Sequence, residues 1–590
     1  MNKPPRWPIG LRAAISTAIP VTAGWAAGAM GSGLIATLGA FTSRFGGDRP
    51  YANRGIELAT VAVSIAAAVT LGGWSARVPW LGVLVVSLVA VAAVWLCNAL
   101  AVGPPGAYIF VVACAAGIGA SAAHLAPWTL GLLVLGGGAV AWLVQMSGAV
   151  FGFRKPERAA VAAAAEAVAD YLEAMNSPGE RPARHRAAAA LHRSWRVLVN
   201  YQPLQARPSS ILHRLRAANH AVHVLFATAV TTTGPNAIPA PETAELARRL
   251  GALQMAPEDV APRDAARIPL GSPPVLTVLR RAVTPGSPVR HIMQRVGVGA
   301  ALAGAAAMAL GVDHAYWAMS AAVLVLHQGT DRSRTLRRGA ERLLGTWVGL
   351  GLAGLILSLH PHDLWLVLLL ALLNFTIEVL VTRNYSLATV FITTAALTIS
   401  SGTHPADIGR LLLARGIDTL MGCAIGVAVY LVAARWQEAT RLTDAIARTL
   451  DAAAQVLPYV AAGDTVGLAA RAARRDLQIA AIALMESGEA AKAGSVRQQA
   501  IAQQLLPAVT ATEQLAYRTI AACWTIEHRP DGTEFGRTLF GGRPAQPHVE
   551  ALAALATAVR TGAAVPADGD HLLFLADEIG DLRQALTADR

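Results

Sequence analysis

The sequence predicts an all-α, polytopic membrane protein: two parallel repeats of about six transmembrane helices, each followed by a cytoplasmic α-helical bundle. Three observations predict it. Apolar residues make up 54% of the 590 residues and charged residues only 15%, against roughly 25% charge in an ordinary soluble chain. The apolar runs gather in two clusters. Short motifs recur from one cluster to the other at a similar offset. A disordered chain, a coiled-coil rod and a simple soluble enzyme are excluded by this composition.

The first cluster has runs near 9–28, 32–46, 55–75, 78–101, 106–124 and 126–150. The second has runs near 292–311, 314–329, 339–359, 363–382, 385–401 and 410–434. Several approach the roughly 20 residues a helix needs to cross the hydrocarbon core, so about twelve spans are expected. The second run of each cluster is short, as suits a tilted, re-entrant or neighbour-shielded helix. Lys3 and Arg6 before an apolar run imitate a secretory signal. Arg12 interrupts that run, and the arrangement recurs deep in the chain at Arg295, so residues 9–28 read as a retained span.

Arginines orient the helices. Arg44, Arg49 and Arg54 follow the second run, Arg154, Lys155 and Arg158 the sixth, Arg332 to Arg342 the eighth and Arg383 the tenth. The opposite turns (311–314, 360–363 and 402–405) carry few positive charges. Positive-inside logic therefore places both termini and residues 151–290 in the cytoplasm. The net charge of +12 belongs to such cytoplasmic arginines rather than to nucleic-acid binding.

The repeat shows in matched motifs. Gly-Leu-Arg12 opens the first run and Gln-Arg295-Val-Gly the seventh. Tyr51-Ala-Asn-Arg54-Gly is matched by Thr335-Leu-Arg337-Arg338-Gly, and Tyr108-Ile-Phe110 by Thr389-Val-Phe391. An even number of spans per copy gives both copies one orientation, about an axis along the membrane normal, with a cavity between them. The domain boundaries follow: membrane blocks at 1–150 and 291–436, helical blocks at 151–290 and 437–590. Apolar residues at three- and four-residue spacing, such as Leu212, Leu215, Ala218 and Val222, mark the helical blocks. These blocks carry about +8 and about −4, which fits either docking on one another or solvated faces.

Several chemistries lack their signatures. No phosphate loop occurs, and Gly297-Val-Gly299 has neither the spacing nor the setting of a dinucleotide fold. No G-x-S-x-G elbow or H-E-x-x-H pair occurs, so no enzyme activity, catalytic residue or cofactor is expected. Cys97, Cys114, Cys423 and Cys523 form no C-x-x-C pair and read as free buried thiols. His360, His362, Asp363, Asp313, His314, His404 and Asp407 crowd three outer turns but match no metal-ligand spacing, so no metal is expected.

Ionisable groups at membrane depth carry the functional reading, because a charge there is costly unless it meets a cavity or a partner. Arg12, Arg54, Glu57, Arg295, Arg338, Glu341 and Arg342 lie at cytoplasmic span ends, where snorkelling or ion pairing is the easy explanation. Arg54 and Arg338 hold equivalent repeat positions and, facing inward, would ring the cavity mouth with positive charge. Glu378, Arg415 and Asp418 lie deeper. Arg415 and Asp418 are three apart on one helical face, suited to mutual neutralisation. Glu378 or Asp418 is the candidate proton carrier. Tyr316, Trp317 and Trp347 fit an aromatic belt, or stacking on a ligand. Gly24/Gly28, Gly345/Gly349 and Gly422/Gly426 fit close helix packing, and Pro20 would free a carbonyl for the cavity.

One stretch resembles a known family. His314-Ala-Tyr316-Trp317-Ala-Met-Ser, then Arg334-Thr-Leu-Arg337-Arg338-Gly-Ala-Glu341-Arg342-Leu-Leu-Gly345-Thr346, is similar to the fusaric-acid-resistance (aromatic acid exporter) family of inner-membrane transporters. Arg415-Gly-Ile-Asp418-Thr-Leu-Met-Gly422 fits the same pattern. The likeness covers roughly 291–436, with a weaker copy in 9–150, where Arg54-Gly-Ile-Glu57-Leu-Ala-Thr60 replaces the Arg-Leu-Leu-Gly-Thr form. It implies proton-driven efflux of aromatic carboxylates or related organic anions. Its distant similarity to plant malate channels leaves passive anion conduction as an alternative, beside a membrane scaffold. Arg12, Arg54, Arg295, Arg338, Tyr316 and Trp317 are the candidate substrate-binding residues, Glu378 and Asp418 the proton-coupling ones. The expected partners are a small organic anion, membrane lipids and a second copy of the chain in a homo-oligomer, with no nucleic acid.

Overall fold

The computed structural model describes residues 6–47, 49–121, 125–200, 210–231, 241–255, 270–271, 273–285, 287–312, 314–328, 332–403, 408–434, 441–492, 496–529, 531–564 and 572–587. They are all-α, with no strand among the described residues. They divide into two compact units: residues 1–152 with 273–435, and residues 153–272 with 436–590. Blocks of like composition thus coalesce across the chain, because each apolar face finds its complement in the block of its own kind.

The first unit contains α1 (Trp7–Ala26), α2 (Met30–Ala36), a 3-10 segment (Thr37–Arg44), α3 (Tyr51–Ser75), α4 (Pro79–Ala99), α5 (Tyr108–Ala120), α6 (Pro127–Met146) and the short α7 (Gly148–Gly152). The second unit, described below, takes α8 to α11, so the first unit resumes at α12 (Val275–Ala282). It continues with α13 (Pro288–Ala309), α14 (Ala315–Gln328), α15 (Arg332–Ser358), α16 (Asp363–Leu380), α17 (Tyr385–Thr403) and α18 (Ile408–Ala434). Seven helices among the described residues are long and apolar enough to cross a membrane. Tyr108–Ala120, Ala315–His327 and Tyr385–Ser401 are apolar but shorter. The remaining two expected runs are α1, which carries Arg12 and Pro20, and the α2–3-10 segment. The short α14 is sheltered by protein, since every residue from Ala318 to His327 is buried. Large apolar side chains such as Trp80, Leu84, Leu88, Leu132, Trp365 and Leu372 are exposed instead on α4, α6 and α16, where lipid would cover them.

The packing pairs recur. α3 packs on α5 and α6, and α15 on α17 and α18; α6 packs on the 3-10 segment, and α18 on α14. Across the halves α1 packs on α16 and α13 on α4. Glycines permit the closest approaches. A Cβ on Gly72 would lie 2.0 Å from the Cys114 carbonyl oxygen, and one on Gly422 2.1 Å from that of Ala318. Gly345 and Gly349 seat α17 against α15 in the same way. Gly24 abuts Gly33, whereas Gly28 meets nothing and ends α1 with φ +66°. The short α12 lies with this unit, where the Trp95 indole donates to the Leu279 carbonyl at 3.1 Å.

The second unit contains α8 (Lys155–Ala174), α9 (Glu180–Trp195), α10 (Ile211–Thr231) and α11 (Pro241–Gly251). To these it adds α19 (Arg441–Ala462), α20 (Leu468–Lys492), α21 (Val496–Gln504), α22 (Leu506–His528), α23 (Gly532–Leu539), α24 (Gln546–Thr561) and α25 (Ala576–Thr587). The two segments pack on one another through α10 and α22. Tyr517 joins the core of Ala164, Val168, Tyr171 and Leu172, while Ala227 meets Ala521 and Trp524. Polar side chains also meet at this seam: Arg181 and His185 reach Glu513 at 3.4 and 2.8 Å.

Candidate functional site

A cavity of about 1120 Å³ lies in the membrane unit, lined by α1, α2, the 3-10 segment and α5 from the first block and by α14 to α18 from the second. Its wall follows α17 from Tyr385 to Ser400 and α14 from His314 to His327. At 1.5 Å per residue that is about 20 Å along the helix axes, most of a bilayer's hydrocarbon thickness. Among the described residues the lining includes seven arginines (Arg6, Arg44, Arg337, Arg338, Arg342, Arg383 and Arg415) and two glutamates (Glu341 and Glu378). A concave, partly apolar wall with this excess of cations attracts anions and focuses their field.

Local structure sets each side chain. The 3-10 segment ends at Arg44, whose Nε donates to Glu378 Oε1 at 2.7 Å; the guanidinium also lies 4.9 Å from the Phe41 ring centroid. Glu378 on α16 thus takes its partner from the other half of the membrane unit. Arg337 pairs with Glu341 one turn on, at 2.8 Å. Arg338 lies 4.5 Å over the Tyr385 ring, and Arg415 stacks 3.4 Å over Trp317. Tyr316 lies beside Trp317 with ring centroids 5.4 Å apart, and Tyr108 stacks on His327 at 5.9 Å. Arg6 donates to the Thr382 hydroxyl.

Of the residues singled out from sequence, Arg338, Tyr316, Trp317 and Glu378 line this cavity; Arg12, Arg54, Arg295 and Asp418 are not in its wall. Arg54 donates Nε and Nη2 to the carbonyls of Gly46 and Gly47, each at 2.7 Å, and lies over Tyr51. It clamps the loop before α3, so the inward-facing pair with Arg338 does not form. Its neighbour Glu57 pairs with Arg49 at 2.9 Å. Arg295 is buried over Tyr430, and Arg12 lies half-buried beside Gly148. Asp418 is fully buried on α18, within electrostatic range of Arg415, whose guanidinium is stacked on Trp317. Pro20 is buried with its carbonyl against Gly33; α1 offers Ala13 and Thr17 to the cavity instead, with Arg6 just before it.

Arg44, Arg342, Arg415, Tyr108, His327 and Tyr385 are cavity residues that the sequence reading did not select as site residues. One signal for Arg342 was available: it follows Arg338 by four residues, hence shares its helical face. For Arg44 and Tyr108 no local signal existed, because their cavity role depends on the opposite half.

Among the described residues no group of three or more His, Cys, Asp or Glu side chains is placed to hold a metal ion. His362 Nδ1 lies 3.1 Å from Asp363, whose carboxylate accepts from the Trp25 indole at 3.2 Å. Asp313, His404 and Asp407 lie outside the described residues. The four cysteines are free and buried. Outside the membrane unit, burial pushes the Cys523 thiol up to about 12, leaving it unreactive.

Residues 302–429 match the fusaric acid resistance protein-like family, which bears out the resemblance read from the second membrane block. An uncharacterized membrane protein of Bacillus subtilis, YvaC, is 26% identical over 556 residues, covering 88% of this chain and 85% of that one. The uncharacterized protein YhfK of Escherichia coli is 29% identical over 153 residues, 26% of this chain and 21% of its own. The uncharacterized protein slr1298 of Synechocystis is 30% identical over 172 residues, 28% of this chain and 22% of its own. No solved structure matches the chain.

Proposed function

We propose that this chain, whose second membrane block is fusaric acid resistance protein-like, is a secondary transporter that exports small organic anions, aromatic carboxylic acids foremost, with proton coupling. The observation that carries this reading is the arginine-rich cavity running along the membrane-crossing helices, between helices of opposite halves. Its volume exceeds that of an ordinary small-ligand pocket and leaves room for an aromatic acid. Tyr316, Trp317, Tyr108 and Tyr385 supply flat apolar faces beside the cations.

Positive-inside logic puts the Arg44, Arg338 and Arg383 end of the cavity at the cytoplasm, in an inner or plasma membrane with both termini inside. Cytoplasmic anions would then gather at that mouth, and an inside-negative potential favours their exit by about 2.3 kcal/mol per charge per 100 mV. The Arg44–Glu378 pair joins the 3-10 segment of one half to α16 of the other. Protonating Glu378 removes the charge that holds Arg44, so a proton can bias how the two halves meet. We assign this role to Glu378 before Asp418 because Glu378 lines the cavity, whereas Asp418 is fully buried outside the lining. Alternating access by the two halves rocking about the cavity needs no covalent step, cofactor or metal.

The test is flux of labelled benzoate in proteoliposomes of the purified full chain. Accumulation driven by a pH gradient supports the reading. Flux unaffected by the gradient removes the coupling, and single-channel currents without accumulation point to an anion channel instead.

A further inference from the structure

We infer that the substrate's carboxylate is held by Arg342, one helical turn beyond Arg338 and more deeply buried than it; this rests on the anion-transport reading above. Most cations of the lining are already engaged. Arg44 is committed to Glu378 and Arg337 to Glu341, Arg6 donates to Thr382, and Arg338 lies over the Tyr385 ring. Arg342 differs. It is 3% exposed, lines the cavity, and leaves Nε and Nη1 without a hydrogen-bond partner among the described residues. Its strongest electrostatic neighbours are Tyr108, Tyr385 and Cys423, none of them a carboxylate, with the Tyr385 hydroxyl accepting one hydrogen bond. Arg415, itself buried and stacked on Trp317, is within range and adds a like charge.

Buried guanidinium groups are normally paired, because an uncompensated charge at that depth destabilises the fold. Arg342 lies seven residues into the Thr335–Ser358 span, about 10 Å along its axis. A planar fork of unused donors, next to a second cation and two phenols, is the complement of a carboxylate. An arriving carboxylate would supply the missing counter-charge, and the aromatic side chains nearby would flank its body.

The experiment measures thermal unfolding of the full chain in lipid nanodiscs, with benzoate, its neutral isostere benzamide, or chloride as probe. Without ligand, Arg342→Gln should unfold at a higher temperature than the wild type, because it removes an uncompensated buried charge. Benzoate should stabilise the wild type, benzamide should not, and R342Q should lose at least tenfold in benzoate affinity. Arg342→Lys, which keeps the charge but not the fork, should lose affinity while still folding. A ligand-free R342Q that unfolds earlier, unchanged benzoate binding in R342Q, or a wild type indifferent to benzoate would each overturn the site. Chloride matching benzoate would overturn its assignment to a carboxylate. Benzoate binding that depends on Arg342, without flux in proteoliposomes, would leave the site standing and remove the transport reading.

Discussion

Arg44 and Glu378, drawn from opposite halves of the membrane unit, meet at 2.7 Å with both side chains largely buried in the cavity wall. The pair fastens the end of the 3-10 segment to α16, so it ties together elements that a rocking motion would separate. A buried ion pair is weak evidence of net stability but strongly resists losing one partner.

Glu378→Gln is therefore expected to keep benzoate exchange between equal concentrations while losing about tenfold or more of pH-gradient-driven accumulation. The same variant should destabilise the fold by about 1–3 kcal/mol, since Arg44 keeps its charge without its partner. Counterflow and gradient-driven uptake in one proteoliposome preparation check this; equal losses in both would remove Glu378 from coupling.

Arg54 and Arg338, matched by sequence motif between the two membrane blocks, should separate by phenotype. Arg54→Ala loses two hydrogen bonds to the Gly46 and Gly47 carbonyls and should cost about 1–3 kcal/mol of stability with KM unchanged. Arg338→Ala should raise KM several-fold with little change in Tm, because its guanidinium lines the cavity over Tyr385. Paired Tm and flux measurements decide, with Arg158→Ala as a control outside the cavity.

Close helix packing can be tested at one atom. The methyl group of Gly422→Ala would fall 2.1 Å from the Ala318 carbonyl oxygen, forcing α18 off α14 at a cost of about 1–3 kcal/mol. Gly351→Ala, on the same unit but with open space around it, should be neutral or slightly stabilising. Thermal unfolding of both variants in nanodiscs is the measurement.

Acid should loosen the second unit first around α9 and α10. Burial holds His192 and His223 down at about 4, against 6.5 when exposed. Between pH 6.5 and 4 the unfolded chain binds protons that the folded chain refuses, so stability falls as pH drops through that window and is unaffected above it. The loss is at most about 3 kcal/mol per histidine. Hydrogen exchange in α9 and α10 of the full chain, corrected for its intrinsic pH dependence, should rise across this window and rise less in His223→Gln.

Much of the fold was legible because it depends on local periodicity. Apolar runs marked the membrane helices, and Gly345/Gly349 and Gly422/Gly426 marked close packing that the structure places on α17 and α14. The short second run of the second cluster was legible as well, though only packing showed that α14 is sheltered. The site was legible by residue type but not by partner. Tyr316, Trp317, Arg338 and Glu378 reach one cavity, yet Arg54, whose sequence motif matches that of Arg338, turns to its own loop. A motif match equates sequence positions, whereas the carbonyls of Gly46 and Gly47 beside Arg54 are a local feature that it cannot convey.

By itself the sequence determined an all-helical membrane protein with an excess of arginine near its span ends, because hydrophobic burial and helical period act over neighbouring residues. Tertiary structure alone decided which arginines are paired and which face the cavity. It brought Arg44 to Glu378, and it left Arg342 buried with unused donors. Both outcomes depend on contacts between helices distant in the chain, where a turn of 100° per residue about the helix axis separates a cavity wall from a lipid face.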